Sequence, residues 1–180
     1  MAEREHSVVG EGLLTGIIGA LLVATWYFVF DMAANRPFFT PNVLGKIFFR
    51  GDVNPGPREI VPKIVAAFTV VHLLLFSLAG MALTFITHLA SRNPALRMGL
   101  WIGLVVSFLF FAGLTFMLAT STGNRLPLWE VLGGALIGVG AMAAFLLNRH
   151  PSLRHSLSTV PLGDEVESSA HPPAPQKPRR

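Results

Sequence analysis

The sequence predicts an all-α, polytopic membrane protein: four transmembrane helices in an antiparallel bundle, with a short interfacial helix in the first loop. Three observations carry this. Of the 180 residues, 52% are hydrophobic and 13% charged, against about 25% charged in an ordinary soluble domain. Mean hydropathy is +0.56. The apolar residues also gather in four runs long enough to span. A hydrocarbon core about 30 Å thick needs about 20 apolar residues in helical form.

The runs are residues 13–30, 64–87, 98–120 and 131–147. The first, third and fourth hold no charge, and the second holds one ionisable side chain, His72. Backbone amides in lipid must be satisfied within the segment, so these runs are read as helices. The alternation of barrel strands is missing. The first run is read as a retained helix and not a cleaved signal peptide. Residues 1–6 hold one Arg against two Glu, the apolar run exceeds the usual signal core, and no A-x-A site follows.

The flanks agree with this reading. Trp26 and Tyr27 lie near the end of span one, Trp101 opens span three and Trp129 opens span four, as amphipathic aromatics prefer the headgroup level. The connections at residues 90–97 and 121–128 are short and contain Pro94 and Pro127, so neighbouring helices are expected to run antiparallel. Four spans put both termini on one side. That side carries eight of the Lys and Arg residues and the other carries six, a small positive-inside bias towards cytoplasmic termini in an inner membrane.

The loop between spans one and two is the most patterned. Thr40 suits an N-cap, Pro41 the first helical position and Gly51 the stop, giving a short amphipathic helix over residues 41–50. Val43, Leu44, Ile47 and Phe48 share one face, and Lys46 and Arg50 another. With Phe38 and Phe39 before it, that apolar face is either a membrane-hugging surface or a docking surface for a partner. Residues 1–150 form the membrane domain. Residues 151–180 change in composition and end Pro-rich and basic, which reads as a tail that orders only when bound.

Small residues recur at four-residue spacing: Gly12, Gly16, Ala20 and Ala24 on span one, Gly99 and Gly103 on span three, and Gly134 and Gly138 on span four. Such ridges let helix backbones approach closely in lipid. They serve packing within the bundle or contact with other membrane subunits, with the first favoured.

A few polar residues lie where they are costly. His72 is well inside span two, where an ionisable residue is by default a functional candidate. It is either a structural hydrogen-bond donor, a single axial ligand to haem or (bacterio)chlorophyll, or part of a proton relay. His88 lies sixteen residues further on, about 24 Å along a helix, too far for a second ligand. Asp31, Arg36, Arg125 and Glu130 fall at one membrane face and are read as a polar cluster, with Asp31 pairing Arg36 or capping loop amides. Glu11, His88, Arg92 and Arg97 lie at the other face as interface anchors.

Other chemistry is absent from the pattern. There is no cysteine, hence no thiolate site, and no metal site is expected. Nucleophile-elbow, zincin and P-loop motifs are missing, and no basic stripe interleaved with aromatics invites nucleic acid. Asp31, Arg36-Pro37-Phe38, Thr40-Pro41, Leu44-Gly45, His72 and Trp129-x-Val131-Leu132-x-Gly134 together resemble small bacterial integral membrane proteins with four helices. That resemblance covers residues 10–150 and implies the topology and no activity. The expected function is a non-catalytic membrane subunit that packs against other subunits of a larger bacterial complex, respiratory or photosynthetic. The alternatives are a haem- or pigment-binding protein using His72, and a small transporter or channel using Asp31, His72 and Glu130.

Overall fold

The computed structural model describes residues 8–52, 59–120 and 126–159, and all regular structure among them is helical. In chain order the helices are α1 (Val8–Ala33), α2 (Phe39–Arg50), α3 (Pro62–Arg92), α4 (Arg97–Thr120), α5 (Leu128–Arg149) and α6 (Pro151–Thr159), with a 3₁₀ turn at Pro94–Leu96. α1, α3, α4 and α5 are each long and apolar enough to cross a membrane. Each contains one of the expected spans and extends past it, because a helix continues through the interfacial layer once its apolar stretch is satisfied. The chain is a multi-pass membrane protein.

The four long helices form a ring. α1 packs against α3 and α5, α4 packs against the same two, and α1 and α4 occupy opposite corners. The tightest seam joins α1 to α3. A Cβ at Gly80 would lie 2.4 Å from the Gly12 carbonyl oxygen and the Gly16 nitrogen, and one at Gly16 would lie 2.3 Å from the Phe76 carbonyl oxygen. These are backbone atoms and have nowhere to move. Direct contact of backbones is what small residues provide where lipid supplies no hydrophobic drive. Gly138 receives Val23, and Gly134 receives Trp26 and Tyr27, at the α1–α5 seam. Gly103 receives Ile86 and Leu83 at the α3–α4 seam, with Gly99 4.0 Å from Ile86. The small-residue ridges therefore serve the bundle itself. On α1, Ala20 is buried, whereas Ala24 is exposed.

The helix of the first loop begins earlier than its sequence signals. Phe38 takes a left-handed conformation (φ 61°) and α2 starts at Phe39, so Thr40 is its second residue and not its cap. Gly51 ends it at φ 62°, a conformation glycine adopts without strain. α2 is buried on more than its apolar face. Val43 and Asn42 are fully buried, as are Phe39, Leu44 and Lys46 to within a few per cent. Leu44 joins Leu118, Ala119, Leu126 and Val131 in a cluster beneath α2, with Ile47 packed at its edge. Of the six residues expected to face a partner, Phe39, Val43 and Leu44 are thus inside the chain, and only Phe38 and Phe48 are exposed.

The tail also starts later than its composition suggests. Residues 151–159 form α6, whose Leu153 and Leu157 are buried against Ala90 and Leu100. The Pro-rich stretch from residue 160 onward lies outside the described residues.

Candidate functional site: a lateral cavity under the first-loop helix

Because α1 and α4 stand at opposite corners, space is left between them. A cavity of about 400 Å³ lies there, walled by α1, α3 and α4 and closed at one end by α2. Its volume falls within the usual range for small-molecule sites, about 300–1,000 Å³. The wall is mostly apolar: Val23, Leu44, Phe68, Phe76, Phe111 and Leu118 contribute to it. Phe76 and Phe111 stack in parallel, their centroids 3.9 Å apart, at its inner side. The rim includes Leu21, Phe28, Phe38 and Phe48, each at least 40% exposed. α1 carries Leu21 and Phe28 within a spanning segment, so the mouth opens sideways towards hydrocarbon.

Four polar side chains of the wall have distinct roles. His72 sets its Nε2 3.0 Å from the carbonyl oxygen of Ala20. The carbonyl can only accept, so Nε2 carries the proton, and Nδ1 remains as the basic nitrogen. Its ring lies between Phe68 and Phe76. Asp31 accepts two hydrogen bonds from Thr40, from the backbone N–H and from Oγ1, both at 2.8 Å. The carboxylate at the last turn of α1 thereby caps the first turn of α2, where free amides and the helix dipole favour negative charge. Tyr27, nine-tenths buried, completes the set with Thr40.

A second, smaller cavity on the far side of Asp31 brings together Asp31, Arg36 and Glu130, with Phe39 and Leu126. Three of the four residues expected as a polar cluster thus surround one space, and Arg125 lies outside the described residues. Of the two partners open to Asp31, the structure uses a backbone amide, that of Thr40 in the first turn of α2. Among the described residues no ion pair joins Asp31 to Arg36, whose guanidinium instead sits 4.2 Å from the Phe39 ring centre. At Glu130 the backbone carbonyl accepts from the Trp26 indole N–H at 2.9 Å. Trp26, Phe30 and Trp129 meet edge to face beside it.

At the opposite end of the bundle, Glu11, His88 and His150 converge. This group was not legible in the sequence, where Glu11 and His88 read as separate interface anchors and His150 carried no signal. The residues are 77 and 139 positions from Glu11, and only the fold puts them side by side. Their equal depth at one membrane face was the one available clue.

Comparison with known protein families, curated proteins and solved structures finds no match to this chain.

Proposed function

We propose that this chain is a non-catalytic membrane protein that holds a hydrocarbon-chain amphiphile, an acyl or isoprenoid lipid, in the lateral cavity. The carrying observation is the cavity itself: about 400 Å³ of mostly apolar space whose exposed rim lies on a spanning helix. A lipid chain enters such a mouth without crossing water. Its polar end meets Tyr27, Thr40 and Asp31 beneath α2, at the depth where a headgroup belongs. His72 offers Nδ1, an acceptor, part-way down the wall for a hydroxyl-bearing ligand.

The other readings draw less support. Features that suggested partner subunits, the glycine ridges and the first-loop helix, are engaged within the chain, so an accessory-subunit role now rests on the exposed Phe38 and Phe48. Ion transport needs free polar groups, yet Asp31 holds α2 and His72 holds α1. Pigment ligation at His72 is left with Nδ1 alone.

Native mass spectrometry of protein extracted in mild detergent tests the proposal. The expected result is one lipid adduct per chain, lost in Ala24→Trp, which fills the cavity mouth with an indole while leaving the glycine seams intact. A bare polypeptide mass under the gentlest conditions, or an adduct that survives Ala24→Trp and Leu114→Trp together, rejects it. An absorption spectrum of the same sample reports any pigment.

A further inference from the structure

The convergence of Glu11, His88 and His150 has no part in the lateral cavity, and it lies at the other end of the bundle. Glu11 is in the first turns of α1, His88 near the end of α3, and His150 is the residue that ends α5 before Pro151 begins α6. The Glu11 carboxylate places one oxygen 3.1 Å from Nε2 of His88 and the other 3.1 Å from Nε2 of His150. The two imidazoles meet edge to face with centres 4.8 Å apart. The side chains are 8%, 21% and 17% exposed respectively. They are largely covered yet reachable from water.

We propose that Glu11, His88 and His150 form a binding site for a divalent transition-metal cation, with zinc the best fit. Two imidazoles and one carboxylate are a recurrent zinc ligand set, and three protein ligands leave a fourth position for water. Tetrahedral zinc with bonds of about 2.0–2.2 Å keeps its ligand atoms about 3.3–3.5 Å apart. Each imidazole nitrogen is already 3.1 Å from a carboxylate oxygen, and one ligand atom from each residue falls within 4.8 Å of the others. Closing the widest separation to the tetrahedral distance needs a shift of about 1.5 Å. Among the described residues no Lys or Arg comes within ion-pair distance of Glu11. The Glu11 carboxylate, facing both imidazoles, supplies the anionic ligand among the three. On loading, each ring proton moves from Nε2 to Nδ1, which frees Nε2 to coordinate.

The site ties the start of α1, the end of α3 and the α5–α6 junction. Its occupant would fasten these helix ends, with α6 seated beside it through Leu153 and Leu157 on Ala90 and Leu100. This location marks the ion as structural or sensory, because nothing in the lateral cavity touches it.

The test uses full-length protein in detergent, stripped with a chelator and titrated with zinc chloride alone, with magnesium chloride as the hard-cation control. One zinc per chain is expected, with a rise in Tm, and no response to magnesium. Glu11→Gln, His88→Asn and His150→Asn should each weaken zinc binding at least tenfold, whereas His155→Asn on α6 should leave it unchanged. The Tm of each variant without metal shows whether it folds. A cobalt-loaded sample adds a second readout, since tetrahedral coordination gives intense visible bands that the three variants lose. Absence of zinc binding by the folded wild type overturns the proposal and leaves the group as a hydrogen-bonded clasp. So does binding of equal strength in Glu11→Gln and His88→Asn.

Discussion

At the scale of single residues, several polar side chains inside this protein fasten helices to one another. Asp31 shows it most directly, because both carboxylate oxygens are occupied by Thr40 at 2.8 Å. Removing the acceptor leaves a buried amide and a buried hydroxyl unmatched, at about 1–3 kcal/mol for such groups. Asp31→Ala is therefore expected to lower Tm and to speed hydrogen exchange in the first turn of α2 above that of α3. Asp31→Asn retains one acceptor and should fall between. Equal exchange in wild type and Asp31→Ala would show that α2 is held without the cap. Asn42 works the same way at the other side of α2. Its Oδ1 accepts from the Val61 N–H and its Nδ2 donates to the Glu59 carbonyl, to which Lys46 Nζ also donates at 2.8 Å. That explains why a lysine that the sequence places with Arg50, apart from the apolar face, is 3% exposed.

At the scale of elements, the α1–α3 seam has the least tolerance. Its contacts are backbone to backbone around Gly12, Gly16 and Gly80. Overpacking a well-fitted contact costs about 1–3 kcal/mol, and here rotamer relief is unavailable. Gly80→Ala is expected to reduce Tm in detergent clearly. Gly140→Ala, where a Cβ meets nothing within 4 Å, is expected to leave it unchanged. If the two variants melt alike, the seam is looser than the geometry states. α2 belongs to this scale too. Its amphipathic pattern is real, yet residues of both faces find cover while Phe48, Phe49 and Arg50 stay exposed, because Gly45 lets it settle on α3 with a notional Cβ only 2.6 Å from Ile64 Cγ2.

At the scale of the whole molecule, the helix order in the ring can be checked with cross-links, since the chain has no native cysteine. The hydroxyls of Thr15 and Thr84 lie 3.5 Å apart across α1 and α3. The pair Thr15→Cys with Thr84→Cys is expected to form a disulfide with a membrane-permeant oxidant, as each sulfur would stand near an Oγ1 position and those are 3.5 Å apart. Thr15→Cys with Val105→Cys, on the outward face of α4, should remain reduced. The reverse outcome would overturn the placement of α1 beside α3. The lipid adduct and the zinc titration also belong to this scale, because both sites exist only where several helices come together.

The four spans, their antiparallel run, the helix in the first loop and its glycine stop were legible in the sequence by itself. Hydrocarbon imposes strict local conditions there: an apolar run of fixed length must be a helix. That His72 and Asp31 needed partners was legible for the same reason. Which partners they took was decided by tertiary structure alone. The Ala20 carbonyl and the Thr40 amide belong to other helices, and their approach depends on how closely glycines let backbones meet. The same holds for the lateral cavity, which exists because α1 and α4 stand apart, and for Glu11, His88 and His150, whose nearness depends on three helices ending at one depth. Periodicity along a chain records which side of a helix is apolar. It holds no record of which helix that side will face, and sites assembled across helices are invisible until the ring closes.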